Sequence, residues 1–126
     1  MQTIQTQPLN KCRILPELRK HFKVEDNAVI AWDNVIYCNK ELHPDVLIHE
    51  QVHLKQQKEI GIITYKKKYI NDKDFRLEME RQAYKAQLDS IENKELKEAV
   101  REDCIINLTS GLYGKITKEE ARNIVN

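Results

Sequence analysis

The most constraining feature of this chain is a stretch that begins and ends like a single helix. Pro44 suits the first position of a helix, where its missing N–H would have no partner, and Asp45 suits the positive end of the helix dipole. Gly61 is a natural C-terminal stop. The sequence therefore predicts a helix over residues 44–60.

This predicted helix carries the sequence His49-Glu50-Gln51-Val52-His53, an H-E-x-x-H pattern. Residues four positions apart lie on the same face, so both imidazoles can reach one Zn2+ ion at about 2.0–2.1 Å. Glu50 projects to the side of the pair, where a carboxylate can act as a general base. The alternative is two ordinary histidines on a helix. The flanking apolar residues predict that one apolar side is buried: Val46, Leu47, Ile48, Val52 and Leu54.

Residues before this helix have the composition of strands. The runs 28–32 (AVIAW) and 35–38 (VIYC) are joined by Asp33 and Asn34, two residue types that tolerate the positive φ of a tight hairpin turn. The sequence predicts a β-hairpin there. Ile14 and residues 22–24 are candidates for a further short strand, and the first ten residues are expected to be loose.

Residues after the first helix predict further helices and no second domain. Asp72 or Asp74 can cap a helix over about 75–90, Asn93 can cap one that ends near Gly111, and Thr117 with Glu120 has capping-box spacing. A chain of 126 residues has room for one hydrophobic core. The predicted fold class is α+β: a small N-terminal sheet or hairpin followed by three to four helices, in one domain over residues 1–126.

The motif HEQVHLKQQ, followed 27 residues after His53 by Glu80-Arg81-Gln82-Ala83-Tyr84, resembles the gluzincin metallopeptidases. It also resembles small metallopeptidase-like proteins of bacteriophages and prophages. The resemblance implies a zincin-like minidomain with one Zn2+ per chain, held by His49, His53 and Glu80, with Glu50 as general base. It further implies that the hairpin strand forms a cleft edge along which an extended peptide adds.

Two positions near the implied third ligand have competing interpretations. Glu78 lies two residues before Glu80 and would face roughly the opposite side of a helix, so only one of them can point at the metal; Glu80 is favoured. Many gluzincins carry an aspartate where this chain has Tyr84. A phenol there can still hydrogen-bond to a metal-binding histidine.

Other side chains are weaker candidates for the site. Gln56 and Gln57 follow His53 by three and four positions and could orient a ligand or bind a peptide carbonyl, although packing is the alternative. Tyr113 is a candidate for stabilising an oxyanion. His43 is expected to be a loop residue, and the run Lys66-Lys67-Lys68 a solvated face.

Composition limits the classes of partner. Lys and Arg total 21 against 20 Asp and Glu, so the net charge of +1 argues against nucleic acid as a partner. No segment has the length of a membrane span or of a signal-peptide core, and the cysteines Cys12, Cys38 and Cys104 are expected to be free thiols in a reducing compartment. A cytoplasmic location is expected, with no membrane partner; no feature indicates an oligomeric state.

The sequence therefore favours a zinc-dependent metallopeptidase that hydrolyses a peptide or protein substrate. One alternative is a non-catalytic zinc-binding adaptor that keeps the zincin fold, and it would bind metal without turnover that depends on Glu50. Another is a helical interaction protein in which the motif is accidental.

Overall fold

The computed structural model describes residues 5–126. The fold is α+β, with a small sheet of three strands near the N-terminus and helices through the rest of the chain. The predicted fold class is therefore confirmed, with more helices than predicted.

The sheet consists of β1 (Gln5–Gln7), β2 (Ile30–Trp32) and β3 (Val35–Tyr37), in the order β1-β3-β2. β2 and β3 form the predicted hairpin, in which Trp32 pairs with Val35. The turn residues Asp33 and Asn34 have φ of 48° and 71°, the left-handed backbone that a two-residue hairpin needs. β1 pairs in parallel with β3, so β2 is left at one edge of the sheet.

Residues between β1 and β2 differ from the prediction. Residues 5–7, which were expected to be loose, pair with β3, while residues 1–4 of the same predicted segment lie outside the described residues. A single turn of 3-10 helix and helix α1 (Leu15–Arg19) follow, with Pro16 in the first turn of α1. The predicted extra strand at Ile14 and residues 22–24 is wrong: Ile14 precedes a helix that has Pro16 in its first turn, and residues 22–24 have irregular backbone.

Five helices follow the sheet: α2 (Pro44–Ile60), α3 (Ile62–Asn71), α4 (Lys73–Asp89), α5 (Lys94–Leu108) and α6 (Lys118–Val125). The predicted bounds of α2 are confirmed, and it ends at Gly61 with φ of 95°. Asp72 caps α4 by accepting a hydrogen bond from the backbone N–H of Phe75. Thr117 and Glu120 form the predicted capping box at the start of α6.

Helix α3 was not predicted, because the run of lysines in its centre was interpreted only as a solvated face. Lys67 and Lys68 are indeed exposed, while Tyr65 is buried and Tyr69 half-buried on the other side of the helix. A tyrosine pair four residues apart is the helical signal that the lysines obscured.

Two hydrophobic clusters stabilise the fold, and α4 contributes to both. The first lies between the sheet, α1, α3 and α4, and contains Leu9, Cys12, Leu15, Phe22, Val24, Ala28, Trp32, Tyr65 and Met79. The second lies between α4, α5 and α6, and contains Tyr84, Leu88, Cys104, Ile105, Leu108, Ile116, Ala121, Ile124 and Val125. Helix α4 packs along α2, so the facing sides of these two helices lie at the centre of the molecule.

All three cysteines are free, as predicted. Over residues 5–126, none of the helices has the length and apolar character needed to span a bilayer.

Candidate metal centre

The buried face of α2 is entirely polar, which is unusual for a helix at the centre of a domain. The buried residues of α2 are His49, Glu50, His53, Gln56 and Gln57. The apolar side that the sequence predicted to be buried is only half-buried. Buried polar groups are costly unless they are bonded. This face of α2 therefore needs partners, and most of them lie on α4.

Three atoms from α2 and α4 converge on one point. Nε2 of His49 lies 3.2 Å from Nε2 of His53, and Oε1 of Glu80 lies 3.2 Å from the first and 3.3 Å from the second. A tetrahedral ion with bonds of about 2.0–2.1 Å holds its ligand atoms about 3.3 Å apart. The three atoms thus form one face of a tetrahedron of the size that a bound zinc ion requires.

Gln87 of α4 fixes the ring of His49. Its Nε2 donates to the carboxylate of Asp45 at 2.8 Å, and a carboxylate can only accept, so the orientation of the amide is determined. Its Oε1 lies 2.9 Å from Nδ1 of His49 and must accept the ring proton there. In the neutral ring, Nε2 of His49 is then left with a lone pair directed at the convergence point.

Gln56 fixes the ring of His53 in the same way. Its Nε2 donates to the carbonyl of Met79 at 3.1 Å, and its Oε1 accepts from Nδ1 of His53 at 2.9 Å. The hydroxyl of Tyr65 lies 3.2 Å from the same Nδ1. Of the roles considered for Gln56, the contact with His53 is the one that the structure shows.

Tyr69 of α3 binds one oxygen of the Glu80 carboxylate. Its hydroxyl donates to Oε2 of Glu80 at 2.6 Å, and the same oxygen lies 3.1 Å from Nε2 of His53. Oε1 lies within 3.3 Å of the Nε2 atoms of both histidines. Burial opposes ionisation of Glu80, but the imidazoles of His53 and His49 outweigh it and hold the pKa of the carboxyl well below its usual range. Glu80 is therefore a buried carboxylate, available to bind a cation.

The electrostatics of the three groups require a cation among them. Two nitrogen lone pairs and one carboxylate oxygen would otherwise repel each other at these distances. Burial lowers the pKa of His53, but the charge of Glu80 outweighs burial and raises it to about 9. A proton meets this requirement in the metal-free protein, and a divalent ion meets it with the correct spacing.

Glu50 lies beside the three convergent atoms and is not one of them. Its Oε2 is 3.9 Å from Nε2 of His49, and its side chain is buried. Burial raises the pKa of Glu50 above its ordinary value, although the neighbouring imidazoles of His49 and His53 oppose the rise. A carboxylate of raised pKa next to a metal position suits proton transfer at neutral pH.

Tyr84 contacts His49 differently from the prediction. Its ring packs edge-on against the ring of His49 with centroids 4.3 Å apart, and its hydroxyl lies 2.9 Å from that of Tyr113. Tyr84 does not hydrogen-bond to the histidine, because Gln87, one turn further along α4, already occupies Nδ1. Tyr113, which the sequence proposed only weakly, lies near the site and lines its cavities.

Arg76 holds the backbone at Tyr113 in place. The guanidinium is buried 5.0 Å from the ring centroid of Phe22. It donates through Nε to the carbonyl of Tyr113 at 2.8 Å and through Nη1 to the carbonyl of Tyr69 at 2.7 Å. One buried cation therefore connects the loop after α5 to the end of α3.

Two predicted candidates lie away from the convergent atoms. Gln57 bonds to the hairpin: its Nε2 donates to the carbonyl of Ala31 at 2.8 Å, and its Oε1 accepts from the backbone N–H of Asp33 at 2.9 Å. The proposal that Gln57 faces the metal is replaced by this role, since one helical position turns it towards the sheet. Glu78 pairs with Arg81 at 2.6 Å.

Two cavities meet at the site. A cleft of about 520 Å3 extends along residues 23–29 and 40–43 and reaches Glu50 and Tyr113. The exposed His43 is part of its wall, a loop position as predicted. A narrower pocket of about 80 Å3 lies on the other side of the site, mainly between apolar side chains of α1, β2 and α3.

Sequence reasoning missed Gln87, Tyr65 and Tyr69. Gln87 follows Glu80 by seven positions and so shares its helix face, which is a signal that could have found it. The two tyrosines belong to the helix that was not predicted.

No protein-family model matches this chain, and no match was found among curated proteins or among solved structures.

Proposed function

We propose that this chain is a zinc-dependent metallopeptidase. The observation that supports the proposal is the triangle of Nε2 of His49, Nε2 of His53 and Oε1 of Glu80, with edges of 3.2 to 3.3 Å and the Glu50 carboxylate beside it. Two histidines and one carboxylate leave a fourth position open, as in catalytic zinc sites. The resemblance to gluzincins implies the same three ligands.

The chemistry follows from which groups lie around that fourth position. Zinc bound here would lower the pKa of a coordinated water and polarise a substrate carbonyl. Glu50 would accept the proton of the attacking water and pass it to the leaving nitrogen. The phenol of Tyr113 stays protonated, because burial raises its pKa well above the ordinary value, so it can donate to the carbonyl oxygen.

The metal is tested first, by elemental analysis of purified protein supplied with zinc. We expect about one zinc per chain in the wild type and strongly reduced zinc in His49→Ala and Glu80→Gln. The matched control is His21→Ala, which removes an exposed histidine outside the site and should retain the metal. Zinc content that is the same in all four proteins would refute the site.

Activity is tested next with a library of synthetic peptides, with mass spectrometry of the products. Glu50→Gln should keep zinc and lose cleavage by a factor of about 100 or more, since general bases contribute about 10²–10⁴-fold. A chain that holds zinc, while wild type and Glu50→Gln give the same products, would be the non-catalytic zinc-binding adaptor instead.

A further inference from the structure

Space around the site is strongly asymmetric. Both cavities border His49, Glu50 and Tyr113. On the side of residues 23–29 and 40–43, the cleft of about 520 Å3 is wide enough for several residues of a peptide. On the side of His53, the pocket is about 80 Å3. An apolar cavity of about 150 Å3 binds a single benzene molecule, so a pocket of this volume has room for no more than one apolar side chain.

The walls of the narrow pocket are apolar. They include Ile14, Leu18, Phe22, Trp32 and Ile70. Lys66 also borders the pocket, and its Nζ is paired with Oε1 of Glu17 on α1 at 2.9 Å. The ion pair connects α1 to α3 across this side of the molecule. The pocket thus suits a single uncharged, apolar group.

The edge of β2 is occupied on this same side. In an antiparallel pair, alternate residues direct both backbone groups away from the partner strand. Ala31 is such a residue, and Gln57 accepts from Asp33 while it donates to the carbonyl of Ala31. An extended peptide that pairs with this edge would find the carbonyl of Ala31 and the N–H of Asp33 already bonded. It can pair only near Val29 and the residues before it, which line the wide cleft.

The small pocket and the occupied edge of β2 both limit how far a peptide can extend past the site. We propose that the site removes single apolar residues from the end of a peptide. The terminal side chain fills the narrow pocket, and the rest of the peptide lies in the cleft along residues 23–29. This inference rests on the proposed peptidase function. The reaction consumes one water: the C–N bond breaks, the hydroxyl joins the acyl carbon, and the remaining hydrogen goes to the nitrogen.

The test compares the zinc-bound wild type and Glu50→Gln proteins on a decapeptide with leucine at both ends. The peptide is prepared with free ends, with an acetylated N-terminus, with an amidated C-terminus, and with both ends blocked. We expect release of free leucine from the unblocked peptide, and the singly blocked peptides identify which end is used. Cleavage between internal residues that depends on Glu50 would overturn this inference alone. Absence of any cleavage that depends on Glu50 would overturn the peptidase function and this inference together.

A pocket variant tests the apolar specificity separately. Leu18→Ala widens the pocket, so the preference for a terminal phenylalanine over leucine should rise by about tenfold. The control is Leu96→Ala, which alters an exposed leucine on α5. Both variants should keep their zinc. An unchanged preference in a Leu18→Ala protein that still holds zinc and cleaves would show that the terminal side chain does not occupy this pocket.

Discussion

Gln87 offers a sharp test of the geometry, because it would act on a bound metal only through His49. Gln87→Ala removes the acceptor of the 2.9 Å bond from Nδ1 of His49 and the donor of the 2.8 Å bond to Asp45. Losing such an outer partner weakens metal binding by about 10–100-fold, or about 1.4–2.7 kcal/mol. The buried Nδ1–H left without an acceptor would lower the stability of the metal-free protein by about 1–3 kcal/mol.

Zinc affinity is measured by competition with a fluorescent chelator, and stability by denaturant unfolding of metal-free protein. The matched control is Gln51→Ala, a glutamine of α2 whose side chain is exposed. An affinity of Gln87→Ala within twofold of the control would refute the argument that Gln87 fixes the tautomer of His49.

Burial lowers the pKa of His53, but the charge of Glu80 outweighs burial and raises this pKa to about 9. The imidazolium therefore stabilises the metal-free fold fully below pH 6.5, and this stabilisation is lost as the pH rises through 9. Calorimetry with a chelator should show a melting temperature that falls over this window, and a constant value would contradict the pairing. Tyr69→Phe removes the hydrogen bond to Oε2 of Glu80 and frees this oxygen for a metal. The coordination number of bound Co2+ should then rise, and the visible absorption of the Co2+ protein should weaken. An identical spectrum would show that Tyr69 does not control how Glu80 binds the metal. Burial raises the pKa of Cys104 to about 12, so about one thiol in 10,000 is ionised at pH 8. A disulfide-exchange reagent should modify the half-buried Cys38 much faster than Cys104, and equal rates would refute the burial argument.

Local signals in the sequence were sufficient for the hairpin and for the bounds of α2. Each depends on interactions between near neighbours in the chain: positive φ at Asp33 and Asn34, a proline and a glycine at the ends of a helix, and the helical period. The helical period placed His49 and His53 on one face, while Glu80 was implied only by the resemblance to gluzincins; the structure brings all three side chains together.

Contacts between different helices and strands could not be predicted from local signals. Gln56 and Gln57 are adjacent in sequence, yet one bonds to His53 and the other to the hairpin, since about 100° of helix rotation separates them. The orientation of α2 between the sheet and α4 decides whether Gln56 or Gln57 is directed towards α4. The same holds for Tyr113, which reaches the site only because Arg76 holds its loop.

The contacts of Arg76 have a consequence for how the protein unfolds. Its guanidinium neutralises the negative C-terminal end of α3 at Tyr69 and at the same time secures the loop at Tyr113, which is 37 positions away in sequence. Tyr69 in turn holds Glu80. Opening the loop would therefore release α3 and loosen a carboxylate at the centre of the molecule. In hydrogen exchange, the loop near Tyr113 should belong to the same cooperative unfolding unit as the candidate metal centre.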